Sequence, residues 1–268
     1  MSDTSIKSVN LNDIISAIEY VAPLALQENW DNSGLQVGNP SSLITGVLTS
    51  VDVTPEVVEE AKSLGANLVV SHHPLLFKGV KTVTGSTRTE KTLIASIKND
   101  IAVYSCHTPL DKAYNGLSWQ LARLLGLKPL RPLIPTSPDD MSGLGVICGT
   151  YPEKTLNDFL VGIRKRFPHM RHSSLSEGPK EVKSIAICTG SGGSLIDDVI
   201  KADCQLYITG DLRHHDFVDF SDRIILVDCG HYETEKMAKH YLAEVISNAF
   251  PQLPVYISQK DKNSIEYN

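Results

Sequence analysis

The strongest constraint on the fold of this chain is the regular alternation of short apolar, β-branched segments with amphipathic helical ones. The segment TGVLTSVDV (residues 45–53) has the composition of a buried strand. Thr54 and Pro55 then supply an N-cap and a first-turn proline, which open the helix PEVVEEAKSLGA. The strand patterns NLVV and IAVYS and the helix patterns EKTLIASIKND and GLSWQLARLLGL follow. Such alternation predicts a layered α/β fold.

A proline-rich segment interrupts this pattern near the middle of the chain. LKPLRPLIPTSPDD (127–140) carries four prolines and no periodicity, which indicates a linker or a domain boundary. Beyond it, strand and helix patterns alternate again as far as RIILVDCG, which leads into a long last helix. A chain of 268 residues is long enough for two domains. We place the first, metal-binding α/β domain at 1–130 with 226–268 and the second α/β domain at 131–225.

Composition excludes several classes of protein. The formal charge of −6 disfavours a dedicated nucleic-acid binder. The N-terminal segment has no apolar region of the signal-peptide type, and no segment approaches membrane-spanning length. We therefore expect a soluble, cytoplasmic protein that has no membrane partner. The five cysteines are scattered without a C-x-x-C pair, which indicates reduced thiols.

Two adjacent histidines stand where one predicted strand ends, in NLVVSHHPLLFKG (67–79). His72 and His73 fall at the carboxyl end of that strand, the edge of an α/β sheet where ligands usually bind. Neighbouring side chains on a strand point to opposite faces, so both reach one site only if the backbone turns, as Pro74 indicates. The pair can then serve two different metal ions. The alternative is one buried, hydrogen-bonded histidine beside one at the surface.

Two further strand ends repeat this arrangement. IAVYSCHTPLD runs from an apolar strand to His107, a proline and Asp111. RIILVDCGHYETEK places His231 after Gly230, with Glu235 four residues later on the same helical face. Alone, an H-x-x-x-E pair indicates an ordinary helix. Three strand ends that each carry histidine or carboxylate groups indicate a metal site.

Together the strand ends supply three imidazoles and two carboxylates: His72, His73, Asp111, His231 and Glu235. This donor set suits divalent Zn, Fe, Mn, Co or Ni. Five side chains cannot saturate two metal ions, so the remaining positions would hold water or hydroxide, which is typical of catalytic sites. A carboxylate such as Asp111 is a natural bridge between the ions. The chemistry implied is hydrolytic.

Several other residues are candidates for the same site. Trp30, Asp31 and Asn32 of WDNSG either line a substrate site or form a turn in which Asp or Asn bonds its own backbone. His107 and His214 are the candidates for a catalytic side chain beside the metal-bound water. The alternative for His107 is a structural histidine.

Two more motifs carry two interpretations each. His214, with His215 and Asp216, either supports the metal ligands from behind or begins a solvated helix. CTGSGGS (188–194) offers backbone N–H groups that suit a phosphate, but it lacks the full phosphate-loop pattern and indicates a tight turn instead.

Five motifs occur in the order found in a known family. They are ENWDNSGLQVG (28–38), SHHP (71–74), HTPLD (107–111), TGD with the following HHD (209–216), and GHYETE (230–235). Over residues 10–250 the chain thereby resembles the Nif-three-like proteins, also labelled GTP cyclohydrolase 1 type 2 homologues. No single motif is specific, but the combination is.

The resemblance implies a fold, a cofactor and an assembly. The fold would consist of two related α/β domains with mixed sheets flanked by helices. Each subunit would hold two divalent metal ions, and the subunits would form a toroidal homohexamer. The family's metal ligands fall on the five residues that the strand ends already supply. Lys128–Ser184 is too short for the middle domain that some members insert, which indicates the compact form.

Three classes of function fit this sequence. The first is a metal-dependent hydrolase acting on a C–N bond of a small molecule, with the imidazole ring of GTP as the substrate that the family label implies. The second is a two-metal phosphoesterase. Ser71 counts against it, because a familiar signature of that class has Asp before the paired histidines. The third is a ring-shaped scaffold or partner-binding protein with structural metals.

Overall fold

The computed structural model describes residues 8–149, 155–176, 178–179 and 181–267. The strands are β1 (Gly34–Val37), β2 (Val47–Ser50), β3 (Leu68–Ser71), β4 (Ala102–Ser105), β5 (Lys128–Pro135), β6 (Gly143–Gly149), β7 (Arg171–His172), β8 (Ser184–Ser191), β9 (Leu206–Gly210), β10 (Ile225–Asp228) and β11 (Val255–Ile257). The helices are α1 (Leu11–Val21), α2 (Pro55–Ser63), α3 (Arg88–Lys98), α4 (Thr108–Lys112), α5 (Leu117–Leu124), α6 (Leu156–Arg166), α7 (Ile196–Lys201), α8 (His214–Phe220), α9 (His231–Glu235) and α10 (Ala238–Ala249).

The chain divides into two compact units. The first unit consists of Met1–Leu110 with Met237–Lys262, and the second consists of Asp111–Lys236 with Asn263–Asn268, each taken over its described residues. The domain limits expected from the sequence, 1–130 with 226–268 and 131–225, stay a prediction.

The first unit is built on a five-stranded mixed sheet in the order β1-β4-β3-β2-β11. All neighbouring pairs are parallel except β1, which lies antiparallel to β4 at one edge. Strands β2, β3 and β4 are buried along their whole length, and one apolar core packs β2, β3 and Ile101, just before β4, against α2. Thr54 caps α2 by accepting a hydrogen bond from the Val57 N–H, as its sequence predicts.

The second unit is built on a six-stranded mixed sheet in the order β5-β6-β8-β9-β10-β7. Its three central strands, β8, β9 and β10, are parallel, while β5, β6 and β7 join antiparallel. Its core includes Ala186, Val199, Tyr207 and Leu226, which are fully buried.

The two units share one topology. Each contains an antiparallel strand followed by a βαβαβ run, and the order β1-β4-β3-β2 in the first unit corresponds to β7-β10-β9-β8 in the second. A short five-residue helix follows the last strand of each run: α4 after β4, and α9 after β10. The prediction of related α/β units with mixed sheets flanked by helices is therefore confirmed. The shared topology brings the carboxyl ends of the parallel strands to one edge of each sheet.

The proline-rich segment corrects the sequence analysis. A linker is predicted at 127–140, but Lys128–Pro135 form β5, which pairs with β6 along its length. Proline lacks the N–H that a central strand needs, and β5 tolerates it because it is an edge strand. The prediction of a linker there is wrong, while the alternative, a domain boundary in this segment, stays a prediction.

The long last helix is a second correction. The structure has two helices, α9 and α10, separated by a turn at Lys236 and Met237. Both residues have a shallow ψ, −17° and −18°, which departs from the α-helical value. In α10, Ala238, Leu242 and Ile246 recur every four residues and are buried, so this helix packs one face inward.

Candidate metal centre

The first unit presents the paired histidines at the end of β3. The N–H of His72 donates to the Ser50 carbonyl (3.1 Å), and that of His73 donates to the Val51 carbonyl (2.9 Å). These two bonds continue the pairing between the β2 and β3 segments beyond the last residue of β3. The Ser71 hydroxyl holds the bend by donating to the His73 carbonyl at 2.7 Å. This bend is the backbone turn that the following proline predicts.

Each of these rings is oriented by an oxygen at Nδ1. His72 is fully buried, and its Nδ1 lies 3.0 Å from the carbonyl oxygen of Cys106. His73 Nδ1 lies 2.9 Å from Oδ1 of Asp52, which follows β2. A carbonyl oxygen can only accept, so Nδ1 of His72 carries the proton and Nε2 carries the lone pair. That tautomer suits a metal ligand.

His107 is held in the same way by Asp31. Its Nδ1 lies 2.8 Å from Oδ1 of Asp31, a carboxylate that also accepts from the Thr108 N–H (3.1 Å) and hydroxyl (2.6 Å) and from the Ser33 hydroxyl (2.8 Å). Burial alone would raise the pKa of Asp31, but the hydrogen bonds from His107, Thr108 and Ser33 hold it well below its usual range. Asp31 is therefore an ionised anchor for the His107 ring.

The three imidazoles of this unit form one group. His72, His73 and His107 each offer a ring nitrogen, and these atoms lie within 4.8 Å of one another. The ring centroids of His72 and His73 are 4.9 Å apart, and His107 lies 5.2 Å and 5.4 Å from them. Nitrogen donors at this spacing are close enough to hold a metal ion.

The second unit carries the other predicted ligands on α9. Gly230, with a φ of +86°, turns the chain after β10, and His231 opens the helix. His231 Nδ1 lies 2.7 Å from Oδ2 of Asp211, and its Nε2 lies 2.9 Å from Oε2 of Glu235. Burial alone would lower the pKa of His231, but the two carboxylates, Glu235 foremost, raise it to about 9. A positive charge is thus favoured at this position.

Asp111 and Glu235 lie together in the same unit. Each offers a carboxylate oxygen, and these atoms lie within 4.8 Å of each other. Glu235 is buried. Burial and, secondarily, the charges of Asp111 and Glu235 raise the pKa of the nearby Cys188 thiol to about 12. Two carboxylates this close repel each other unless a cation or a proton lies between them.

A glycine makes room for the Glu235 carboxylate. Gly190, in β8, has a φ of +67°, and a Cβ there would clash with Oε1 of Glu235 and lie 3.0 Å from its Cδ and 3.5 Å from His231 Nε2. Its N–H donates to the Thr234 hydroxyl at 3.0 Å. Residues 188–191 of the CTGSGGS segment are the end of β8, where Gly190 lets the backbone approach the His231–Glu235 pair closely. Its two interpretations, a phosphate site and a tight turn, stay predictions.

The WDNSG segment makes the predicted local bond and also contacts the imidazole group, while its role in lining a substrate site stays a prediction. Asp31 accepts from the Asn32 N–H (2.7 Å), as in a local turn, and it also anchors His107. Asn32 donates to the Leu76 carbonyl at 2.7 Å. Trp30 is 60 % exposed, and its ring centroid lies 5.9 Å from that of His107. Trp30 and Asp31 therefore lie directly beside the imidazole group of the first unit.

The HHD segment is the start of a helix. Asp216 is buried and accepts from the Arg213 N–H at 2.7 Å as part of a capping box at α8. His214 and His215 are exposed there. Among the described residues, neither belongs to a group of three donor side chains with ligand atoms within 4.8 Å. A catalytic role for His214 stays a prediction.

Two orienting residues were missed by the sequence analysis. Asp52 and Asp211 set the His73 and His231 rings from behind, as second partners of metal-ligating histidines commonly do. The available signal was positional, because Asp52 stands two residues after β2 and Asp211 directly after β9. Each therefore lies at a strand end like the ligands themselves.

The fold and the site define a protein of two topologically related α/β units whose strand ends carry histidine and carboxylate groups close enough to hold a metal ion. In the described part of the chain, no helix has the length and apolar character needed to cross a membrane.

The sequence profile of the Duf34/NIF3 (NGG1p interacting factor 3) family matches residues 9–264, and the chain belongs to this family. A Clostridium perfringens protein named GTP cyclohydrolase 1 type 2 homolog is 36% identical over 228 residues, covering 85% of this chain and 87% of its own. NIF3-like protein 1 of Drosophila melanogaster is 32% identical over 260 residues, covering 94% and 87%. A Staphylococcus aureus hypothetical protein of solved structure has a TM-score of 0.88 at 27% identity, covering 97% of this chain and all of its own. The family resemblance inferred from the motifs is therefore confirmed.

Proposed function

We propose that the protein is a divalent-metal-dependent hydrolase in which His72, His73, Asp111, His231 and Glu235 hold two metal ions. The observation that carries this proposal is the anchoring of the imidazoles. Each ring of the set has its Nδ1 on an oxygen: the Cys106 carbonyl, Asp52 or Asp211. With Nδ1 anchored in this way, Nε2 is the nitrogen of each ring that would bind a metal ion. The anchor also fixes the orientation of the ring, as in metal sites with a carboxylate behind the histidine.

The His231–Glu235 pair also fits a cation. By itself, His231 is bonded to carboxylates at both nitrogens, and its pKa of about 9 favours the imidazolium form. A divalent ion in place of the Nε2 proton would lie between the same two side chains and satisfy both. Asp111, whose oxygen lies within 4.8 Å of one of Glu235, would supply a second anionic ligand that suits a bridging role. Bound metal would acidify water and polarise a substrate at this site.

His107 is the residue that we propose for proton transfer. Asp31 fixes its Nδ1 at 2.8 Å, which leaves Nε2 to exchange a proton on the side away from Asp31. The side chain of His107 is 15% exposed, so its ring is reachable while its orientation is fixed. The ionised Asp31 would stabilise the imidazolium that forms when His107 takes up a proton.

The substrate class that we propose is a purine nucleotide, hydrolysed at a C–N bond of its ring. It is supported by the names of the relatives, several of which are GTP cyclohydrolase 1 type 2 homologs. We further propose a toroidal homohexamer of 29.3 kDa subunits, as the family resemblance implies. Light scattering that gives only a monomer would exclude the ring.

The test begins with elemental analysis of the purified protein, followed by an activity screen of each reconstituted metal form. The panel contains purine nucleotides, phosphoesters and cyclic amides. We expect hydrolysis of a nucleotide that stops with chelator and returns when metal is added back. Activity confined to phosphoesters would instead identify a two-metal phosphoesterase, and bound metal without turnover of any compound would favour a scaffold.

Variants show whether the activity belongs to this site. Glu235→Ala should lose both activity and metal, while Glu244→Ala, which removes an exposed glutamate of α10, should keep both. Asp111→Ala should lower the occupancy of both metal ions, because it removes the proposed bridge. Full metal content in Asp111→Ala would contradict the bridging role.

A further inference from the structure

Two large aromatic side chains are exposed beside the imidazole group of the first unit. Trp30 is 60% exposed and Phe77 is 47% exposed. Their ring centroids lie 6.1 Å apart at an interplanar angle of 64°, and each ring lies edge-on to His107, at 5.9 Å and 6.2 Å. Exposure of two such rings at one place is unfavourable in water. A ligand that covers them would therefore bind with a favourable contribution from the buried apolar surface.

A cavity of about 480 Å³ continues from this aromatic pair. Phe77 forms part of its lining, together with Leu75, Val80 and two exposed lysines, Lys78 and Lys81. This volume lies within the range typical of small-molecule sites. Phe77 is shared by the aromatic pair and the cavity, so one ligand of moderate size can contact both.

The two lysines in this lining outnumber its one acidic residue, so the lining carries a net positive charge. The acidic residue in the lining, Glu90, accepts hydrogen bonds from the N–H groups of Thr84 (3.0 Å) and Ser86 (2.9 Å) and from the Thr84 hydroxyl (2.9 Å). The Glu90 carboxylate is thereby hydrogen-bonded to the loop of residues 84–86. Two ammonium groups in the same lining favour an anionic group on the ligand.

We propose that Trp30 and Phe77 form a stacking wall for a planar heteroaromatic ring, and that the cavity lined by Lys78 and Lys81 takes an anionic group attached to that ring. The ring then lies beside His107, the residue assigned to proton transfer. The inference rests on the proposed function for the placement of the reacting bond. Binding of the ring itself is a separate property and is measured separately.

The two tryptophans of the chain allow a direct measurement. Trp119 is buried at 3% exposure, so quenching of tryptophan fluorescence by an added ligand reports on Trp30. The probes are guanosine monophosphate, adenosine monophosphate, guanosine and ribose 5-phosphate, with affinities checked by calorimetry. We expect saturable quenching by both nucleotides, weaker binding of guanosine, and no quenching by ribose 5-phosphate.

Variants separate the two parts of the site. Trp30→Leu and Phe77→Leu should each weaken nucleotide binding about tenfold or more, in the range for loss of a base-stacking contact. Tyr20→Leu, which removes another exposed aromatic ring of the same unit, should bind as the wild type does. The double variant Lys78→Gln with Lys81→Gln should bind the nucleotides more weakly and bind guanosine as the wild type does. Lys98→Gln, which changes an exposed lysine outside the cavity lining, should alter neither affinity.

Three results would overturn the inference. The first is nucleotide binding that is unchanged in Trp30→Leu and Phe77→Leu. The second is quenching by ribose 5-phosphate that is as strong as quenching by the nucleotides, and the third is a wild-type Trp30 that iodide cannot reach because another chain covers it. Measurements on metal-depleted and metal-loaded protein separate this inference from the proposed function. Ring binding without turnover supports the wall and rejects the hydrolase, whereas metal-dependent turnover without ring binding rejects the wall alone.

Discussion

At the level of single residues, four histidines are each held from behind by an oxygen. His72 uses a backbone carbonyl, and His73, His107 and His231 use the carboxylates of Asp52, Asp31 and Asp211. An oxygen in this position fixes the orientation of the ring. The anchors therefore determine the direction in which each imidazole presents its other nitrogen.

Asp31→Asn tests the most heavily bonded of these anchors. The amide keeps the size of the side chain but turns an NH₂ group either toward the Thr108 N–H and Ser33 hydroxyl at Oδ2 or toward the Asn32 N–H at Oδ1, so at least one acceptor is lost. We expect a loss of about 1–3 kcal/mol in the free energy of unfolding at neutral pH. Asp100→Asn, at an exposed aspartate of the same unit, should cost much less.

The pH dependence of this loss follows from the lowered pKa of Asp31. Because folding lowers the pKa, the ionised carboxylate contributes its full stability above the usual aspartate value of about 4, and the contribution is lost as the pH falls below it. The stability difference between the wild type and Asp31→Asn should therefore shrink as the pH falls below about 4. Denaturant unfolding at several pH values on either side of that point measures it, and a difference that stays the same or grows below about pH 4 would contradict the assignment.

The ligand residues and their anchors were not equally predictable. His72, His73, Asp111, His231 and Glu235 could be selected as candidate ligands from the sequence, because they are metal-binding residue types placed after apolar strands. The bonds from Asp52 to His73 and from Asp31 to His107 span 21 and 76 residues of chain. Contacts of that kind depend on where loops pass in space, which residue type and spacing do not encode.

At the level of elements, the last residues of β8 limit what the site can accommodate. Gly190 has a left-handed φ and lies against the Glu235 carboxylate. We expect Gly190→Ala to cost at least about 1–2 kcal/mol for the backbone conformation alone. It should also push the carboxylate aside and lower the metal content of the protein.

Gly126→Ala is the matched control for this variant. Gly126 lies in the same unit at a φ of +72°, close to that of Gly190, but a Cβ there meets nothing within 4 Å. It should therefore show the backbone cost without the loss of metal. Equal metal content in the two variants, measured by elemental analysis after the same loading, would show that Glu235 does not need the space that Gly190 leaves.

The elements that the sequence failed to predict share a cause. The prolines of β5 predict a linker, because proline removes a hydrogen-bond donor wherever it occurs. Only the sheet order makes β5 an edge strand, where that donor is not needed. The break between α9 and α10 likewise has no proline or glycine to mark it, since Lys236 and Met237 are ordinary helix formers. Both features depend on tertiary context.

At the level of the whole molecule, the proposed ligands come from both units. His72 and His73 belong to the first, whereas Asp111, His231 and Glu235 belong to the second. The first unit also has a group of its own in His72, His73 and His107. Metal could therefore be held by one unit alone or by the two together, and the proposed function requires the second case.

Metal-linked stability decides between these cases. A ligand that binds only the folded state raises the free energy of unfolding by about 2.7 kcal/mol at a free concentration of 100 times its Kd. If both units hold the same ions, metal added to depleted protein should raise the unfolding midpoint, and removing a ligand from either unit should abolish the gain. We expect that loss for His72→Ala and equally for Glu235→Gln, while His240→Ala and Glu244→Gln, which change exposed residues of α10, keep the full gain. Thermal unfolding with and without metal provides the comparison.

A gain in stability that survives in Glu235→Gln but not in His72→Ala would mean that the imidazole group of the first unit binds metal by itself, because the second unit would then contribute nothing to affinity. The two-ion site would be wrong in that case, and the carboxylates of α4 and α9 would need another role.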